Sequence, residues 1–419
     1  MLQNRRIIVG VCGGIASYKA VELVSRLQQA GALVDVILTK HAEDFIRPLT
    51  FATMSHRPAY TDLWEASGHA AETHIELGEK AELLAIVPAT ANTIAKLACG
   101  IADNMLTAVA LATKAPLLVA PAMYHNMYNH PATQANLTLL QERGASIVGP
   151  VVGHLASGAV GPGRLPETDV LLGAIRMVLG RNGNLAGHHV VITAGGTQEP
   201  IDPVRYVGNR SSGKMGYALA EEARDRGAHV TLISGPVALQ APYGVKLQAV
   251  DTALQMRNAV HEAIVDADVL IMSAAVADYR PAAPAARKIK KGETQQGSDG
   301  ADGLTLHLVQ NPDILGELVH APDEQLENVR IPQRLVRVGF AAETNDIVRN
   351  AQAKLEAKQL SMLVANDVSR SDSGFGSDTN KVFIFRADAP MEDLPVMSKT
   401  DVAAAIWDRI VLLLGTRIK

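Results

Sequence analysis

The chain has 419 residues, a net charge of −4 at pH 7 and two cysteines, Cys12 and Cys99. That length is enough for two or three domains, each with its own core. A weakly acidic balance, with a pI near 6.4, gives nucleic acid or an anionic membrane no electrostatic hold, and two cysteines exclude a disulfide framework, so a reducing compartment is expected.

The start, "MLQNRRIIVGV", passes directly into an apolar strand without a signal-peptide core. The longest apolar tract, "MLTAVALATKAPLLVAPAM", is broken by Lys114 and Pro116, so no membrane span is expected. These features predict a soluble cytoplasmic protein. Residues 6 to 39 read strand, turn, helix, strand: "RIIVGV" is a buried strand, Ala20, Leu23, Val24 and Leu27 form one apolar helical stripe, and Gly31 stands where a helix C-cap is expected before "ALVDVILT". The pattern recurs at 188 to 234, with "HHVVITAGG", the helical "MGYALAEEARDRGA" ending at Gly227, and "HVTLISG". Two βαβ openings predict an α/β protein of two parallel-sheet domains, residues 1–180 and 188–419, joined by the polar, Gly-rich linker "RNGNLAG", Arg181 to Gly187. Between Pro281 and Leu308 a Pro/Ala stretch, a basic "RKIKKG" and a polar run predict a flap or insertion.

In the first half, "GVCGGIASYKA" lacks the G-x-G-x-x-G spacing of nicotinamide dinucleotide folds. Its Gly-Gly turn exposes backbone N–H groups at a helix N-terminus, where a phosphate can sit, but glycine in a tight strand–helix turn also serves sterics alone. Further on, Pro88, Thr90, Asn92 and Thr93 follow the strand "AELLAIV" and face the crevice where α/β sheets bind ligands.

Taken in order, "GGIASYK", His74, "PATANT", "DNMLTA", "PAMYHNM" and "GPGRLPE" resemble the flavin-dependent cysteine decarboxylases over roughly residues 5 to 180. The resemblance implies a flavodoxin-like domain that assembles as a trimer with FMN at the subunit interface. It further implies flavin contacts at Gly14, Ile15, Ala16, Thr39, Pro88, Thr90, Asn92, Leu106 and Thr107, and substrate contacts at Met123, Tyr124, Met127 and Arg164. His74, read as a strand-edge residue, matches the family's catalytic histidine, a base assisting thiol oxidation. Taking hydride from the thiol-bearing carbon onto the flavin makes a thioaldehyde placed like the carbonyl of a β-keto acid, from which CO₂ leaves readily. Two positions depart from the pattern. Tyr124 replaces the asparagine of P-A-M-N-x-x-M, and Ser157 stands where phosphopantothenoylcysteine decarboxylases carry a cysteine that protonates the product. A serine hydroxyl is a far weaker acid than a thiol. Either His125, Tyr124 or His154 protonates instead, or this half releases an unreduced enethiol as the peptidyl-cysteine decarboxylases do; a third reading is a flavoprotein half that only oligomerises.

"YVGNRSSGKMG", Tyr206 to Gly216, has the Gly and Lys spacing of a phosphate-binding loop, but Met215 stands where such a loop needs a magnesium-binding hydroxyl. With "ITAGGTQEPIDPVR", "AAVADYRP", "RKIKK", "NPDIL", "GFAAET" and "KLEAKQLSMLVAND" it occurs in the order found in CTP-using phosphopantothenate–cysteine ligases, over about residues 186 to 415. The fusion of both halves resembles the bifunctional coenzyme A biosynthesis flavoproteins. The resemblance implies a Rossmann-like domain whose Asn209 handles an acyl-cytidylate, with CTP contacts at Met272, Ser273, Ala274, Asp278, Lys288, Asn311, Pro312, Asp313, Ile314, Phe340, Lys354 and Lys358. Lys354 and Lys358 sit four apart on an expected helix, so both can face one triphosphate. The expected partners are 4'-phosphopantothenate, cysteine, CTP and Mg²⁺, whose ligands the sequence leaves open. N-domain trimers and C-domain dimers, together a dodecamer, are expected, with no nucleic acid or membrane partner. No His/Cys cluster suggests a structural metal.

Overall fold

The computed structural model describes residues 1–64, 73–290, 304–319, 332, 334–343, 347–367 and 376–416, and its chain divides into two compact units, Met1–Gly180 and Arg181–Lys419.

The first unit opens with β1 (Arg6–Val11), α1 (Ser17–Gln29) and β2 (Leu33–Leu38). Both strands are buried along almost their whole length, as strands covered on two faces must be. Helix α1 buries Ala20, Leu23, Val24 and Leu27, and Gly31 follows it at φ +86°, the left-handed conformation that closes a helix. There follow α2 (Pro48–Ser55), β3 (Ala59–Tyr60), α3 (Thr73–Lys80), β4 (Leu83–Ala89), α4 (Ala91–Cys99), α5 (Met105–Ala112) and β5 (Leu117–Pro121). Next come α6 (His125–Asn129), α7 (Pro131–Glu142), β6 (Ser146–Ile147), the hairpin of β7 (Val151–His154) with β8 (Val160–Arg164), and α8 (Thr168–Gly180). The main sheet is parallel in the order β3-β2-β1-β4-β5-β6. Without the two-residue β3 this is the flavodoxin order, and the direction of winding reverses between β1 and β4. His74 lies in the first turn of α3, not on a strand edge. Leu77 and Gly78 of α3 are buried, and Thr113 at the end of α5 donates to the Gly78 carbonyl, so this segment is anchored by consecutive residues of one helical turn.

The second unit repeats the theme with β9 (His189–Ala194), the ribbon β10 (Gln198–Pro200) and β11 (Tyr206–Gly208), α9 (Lys214–Asp225), β12 (His229–Ser234), β13 (Lys246–Ala249) and α10 (Ala253–Ala263). Then come β14 (Val269–Met272), β15 (Tyr279–Pro281), β16 (Leu308–Gln310), α11 (Ile314–Glu317), β17 (Val336–Glu343), α12 (Ile347–Ala357) and β18 (Met362–Asp367). The chain finishes with β19 (Thr379–Asn380), β20 (Val382–Arg386), β21 (Ala389–Asp393), β22 (Met397–Ser398) and α13 (Lys399–Thr416). The sheet order is β13-β12-β9-β14-β17-β18-β20-β21, with the first six strands parallel in Rossmann order. β20 and β21 add an antiparallel hairpin at one edge, which makes this sheet mixed; a tight turn after Arg386 suffices because antiparallel neighbours need no crossover.

Helices α9 and α13 cover one face over a core that includes Ile192, Val338, Val364 and Trp407. Helix α12 covers the other face, where Ala351 and Leu355 pack with Leu363, Ala365 and Phe385. Gly216 allows the close approach of α9: a Cβ there would stand 2.6 Å from Ala194 Cβ and 2.7 Å from Ser273 Oγ. The insertion expected from Pro281 to Leu308 begins and ends on a two-stranded ribbon in which those two residues are direct partners. Its polar run, residues 291–303, lies outside the described residues. Before it, Ile289 is gripped on both sides: its N–H donates to Asp202 at 3.2 Å and its carbonyl accepts from Arg205 at 2.9 Å.

Candidate active sites

In the second unit the winding reverses between β9 and β14, and the carboxyl ends of β14, β17 and β18, with the loop leading into α9, surround a cavity of about 610 Å³. That is within the range of small-ligand sites. Met272, Ser273, Ala274 and Asp278 line it after β14; Asn311, Pro312, Asp313 and Ile314 line it from the start of α11; Phe340, Lys354 and Lys358 complete the wall, with Asn209 opposite. Lys288 is exposed and does not line this cavity, although its neighbour Ile289 is held in place.

Several of these side chains serve the scaffold. Ser273 Oγ donates to the Thr193 carbonyl at 2.5 Å, and Thr193 Oγ1 accepts from the Ala274 N–H at 3.1 Å, so β14 ends in a fixed register beside β9. Asn311 is buried; its Nδ2 donates to the Ala277 carbonyl at 2.8 Å and its Oδ1 accepts from Arg280 at 3.0 Å, tying the two cavity loops together. Asn209 Nδ2 donates to the Val276 carbonyl at 2.9 Å. Asp313 caps α11 through the Gly316 N–H and pairs with Lys358 at 3.0 Å. Helix α12 stops at Ala357, yet the Lys358 N–H still bonds the Lys354 carbonyl, which keeps the two lysines one turn apart.

The reading of ligand contacts from motifs missed Lys214, Asn366, Asn380 and Lys399, all of which line the same cavity. Lys214 was visible in the Gly-Lys pair of "SSGKMG"; Lys399 stands in "MSKTDV", which carries no recognisable signal. Burial pushes the Lys399 ammonium pKa down and the charge of Lys214 adds to the effect, with Asp378 opposing.

In the first unit Gly14, Ile15 and Ala16 follow β1 and precede α1, while Pro88, Thr90 and Asn92 follow or end β4, so the two segments flank the winding reversal. Thr39 follows β2 one strand away, its N–H bonded to the Val11 carbonyl. A Cβ on Gly14 would meet nothing within 4 Å, and Ile15 is 64% exposed, so this loop presents its backbone to open space. Ser17, at the start of α1, has a buried Oγ without a hydrogen-bond partner. An unsatisfied hydroxyl at an uncapped helix N-terminus suits a phosphate, and the site therefore fits a phosphorylated flavin. Leu106 and Thr107 are buried in the first turn of α5, where Thr107 Oγ1 bonds Asn104.

Met123 meets the hairpin closely: its N–H donates to the Gly163 carbonyl, and a Cβ on Gly163 would stand 2.0 Å from Met123 O. The Tyr124 and His125 rings lie with centroids 4.1 Å apart and planes tilted by 50°, and His125 packs beneath Gly161 with its buried Nδ1 unbonded. Met127 is half exposed. Arg164 donates to Glu167, which also accepts from Lys19. Ser157 and His154 are exposed, Ser157 in the turn of the hairpin. His74 has no hydrogen-bond partner among the described residues.

Each unit thus offers a ligand site at the reversal of a doubly wound sheet, one suited to a flavin phosphate and one lined with lysines, which is the layout of a two-site enzyme. The first unit matches the Flavoprotein family over residues 1–180, and the second matches the DNA/pantothenate metabolism flavoprotein C-terminal domain over residues 185–413. The coenzyme A biosynthesis bifunctional protein CoaBC of Bacillus subtilis (strain 168) is 46% identical over 416 residues, covering 99% of this chain and 98% of that protein. The protein of the same name from Vibrio vulnificus (strain CMCP6) is 43% identical over 414 residues, 99% of each chain. A solved structure of the C-terminal domain of a CoaBC protein is 36% identical, covers 56% of this chain and 99% of its own, and superposes with a TM-score of 0.44. The chain belongs to the family of bifunctional coenzyme A biosynthesis proteins.

Proposed function

We propose that the chain carries out two consecutive steps of coenzyme A biosynthesis: the second unit joins cysteine to 4'-phosphopantothenate at the expense of CTP, and the first decarboxylates the resulting 4'-phosphopantothenoylcysteine. The observation that carries the ligase reading is that every motif-derived CTP residue except Lys288 lines one cavity. Attack of the phosphopantothenate carboxylate on the α-phosphate of CTP gives an acyl-cytidylate and pyrophosphate; the amine of cysteine then displaces CMP. Lys354 and Lys358, with Mg²⁺, would offset the charge of the leaving pyrophosphate. Asn209 would hold the activated carboxyl, a reading supported by its place in the cavity lining and by the bond of its Nδ2 to the Val276 carbonyl.

In the first unit the flavin is FMN, whose phosphate would sit at Gly14–Ser17 and whose bound ring supplies the two-electron oxidation that makes the carboxylate of cysteine labile. Met123, Tyr124 and Met127 would position the substrate under the β7–β8 hairpin, and His74 would accept a proton on completion of the site by neighbouring subunits. Exposed Ile15, Tyr18, Tyr124, Met127 and Val152 support that assembly into trimers, with dimers formed by the second unit. No helix among the described residues is long and apolar enough to cross a membrane; a cytoplasmic setting is supported by the two free cysteines.

Purified protein incubated with CTP, Mg²⁺, cysteine and 4'-phosphopantothenate should be yellow, release CMP and pyrophosphate, and then CO₂. A colourless preparation inert to CTP would refute both assignments. CMP release without CO₂ from added 4'-phosphopantothenoylcysteine would reduce the first unit to a scaffold.

A further inference from the structure

Two lysines stand together at a corner of the ligase cavity. Lys214 is the first residue of α9 and Lys399 the first residue of α13, and both line the cavity. Their ammonium groups converge on one short segment: Lys214 Nζ donates to Asp378 Oδ1 at 2.6 Å and to the Gly376 carbonyl at 3.2 Å, and Lys399 Nζ donates to the Ser377 carbonyl at 2.5 Å. Lys399 is 7% exposed, so its charge is held in a nearly dry wall, next to a like charge. The charge of Lys214 lowers the Lys399 pKa, so the two ammonium groups act on one another, and an anion placed between them favours both charged forms.

The carboxylate now at that corner is a weak competitor. The Asp378 side chain is 88% exposed, and exposed ion pairs hold little net free energy because water screens them. Helix α9 starts at Gly213 with no side-chain cap, so the positive end of its dipole adds to the same corner. The other lysine pair, Lys354 and Lys358, belongs to α12 on the opposite face of the sheet. β9, which leads to α9, and β17, which leads to α12, are separated by β14, a spacing of roughly 10 Å. Cationic side chains thus reach the cavity from helices on both faces of the sheet, Lys214 and Lys399 from one and Lys354 and Lys358 from the other.

We propose that Lys214 and Lys399 form a second phosphoryl-binding subsite of this cavity and that Asp378 occupies it until an anionic ligand displaces it. The inference rests on the ligase reading above, because the phosphoryl group is either in the polyphosphate of CTP or the phosphomonoester of the acyl substrate. Both lysines are positioning residues that orient a ligand through its phosphoryl oxygens and do not touch the carbonyl that reacts.

The test uses the full chain and the variants Lys214→Met, Lys399→Met and Asp378→Asn. Initial rates of pyrophosphate release are measured while CTP, 4'-phosphopantothenate and cysteine are varied in turn, and melting temperatures are recorded with and without inorganic pyrophosphate or inorganic phosphate. Lys214→Met should raise KM for one phosphorylated substrate about tenfold or more, as the loss of a charge-assisted hydrogen bond predicts, with KM for cysteine unchanged. Asp378→Asn should lower that same KM. If the affected substrate is 4'-phosphopantothenate, wild type and Lys214→Met should use unphosphorylated pantothenate equally; if it is CTP, pyrophosphate should raise the wild-type melting temperature and lose that effect in the variant. Unchanged KM for both substrates in a folded Lys214→Met, or a raised KM in Asp378→Asn, overturns the proposal. Lys399→Met tests the buried partner, and its circular dichroism shows whether a loss reflects misfolding. An inactive wild type that still gains stability from either anion, and loses that gain in Lys214→Met, would refute the ligase reading while leaving the subsite standing.

Discussion

Trp407 of α13 donates its indole N–H to the Leu219 carbonyl of α9 across 2.9 Å, and its ring is fully buried. The bond pins together the two helices whose first residues are Lys399 and Lys214. Removing the ring in Trp407→Ala should destabilise the second unit by about 3–5 kcal/mol, the usual cost of emptying a large aromatic site. Trp407→Phe, which keeps most of the packing and loses the bond, should cost about 1 kcal/mol. Denaturant unfolding of the two variants checks the ratio, and equal losses would mean that the hydrogen bond, and not the volume, holds the pair.

Asn209 is tied to Val276 and lines the cavity. Asn209→Ala should leave the Kd for CTP nearly unchanged while cysteine-dependent product formation falls about 10²-fold, the effect of deleting one donor aimed at a reacting carbonyl. Calorimetry of CTP binding beside CMP release separates the two. A parallel loss of CTP affinity would assign Asn209 to the nucleotide.

Ser157 is exposed in the turn of a hairpin, and for it to donate a proton its alkoxide would have to form near neutral pH, far below the hydroxyl's ordinary range. Ser157→Ala should therefore keep most of the decarboxylation and still yield reduced 4'-phosphopantetheine. Mass spectrometry distinguishes the reduced thiol from the enethiol. Enethiol alone in the variant, with reduced product in wild type, would make Ser157 the donor after all.

The two cysteines should behave oppositely towards alkylation. Cys99 is exposed, whereas Cys12 is buried, and burial pushes its thiol pKa above the ordinary 9.0 against the opposing bonds from Thr93 and Thr90. Iodoacetamide should label exposed Cys99 readily and leave Cys12 unmodified until the chain unfolds, as peptide mapping would show. Because the folded state favours the protonated Cys12 thiol, its contribution to stability is complete below pH 9.0 and is lost as pH rises through the higher folded-state value. Cys12→Ala should remove that part of the alkaline decline.

The parallel cores were legible because strands buried on both faces show as unbroken apolar runs: "RIIVGV" and "HVTLIS" announce themselves, as do the 3.6-residue stripes of α1 and α9. The two-residue β3 and β6 were not, since so short a strand has no period to read. His74, expected on a strand edge, lies on a helix whose buried residues, Leu77 and Gly78, are consecutive. Of the cavity, the loops that follow strands carried recognisable motifs. Lys399 did not, because its relation to Lys214 exists only once α13 has folded back onto α9, and Lys288 fell outside the cavity although its motif was plain.

Pro281 and Leu308 are cross-strand partners, so the stretch between them starts and ends at almost the same point. Its length is therefore free of the sheet's geometry. The entropy of closing such a loop grows only with the logarithm of its length, about 0.6 kcal/mol per doubling, so closure entropy sets little limit on how long the stretch can be. A change of length between the two partners therefore need not move a strand of the sheet.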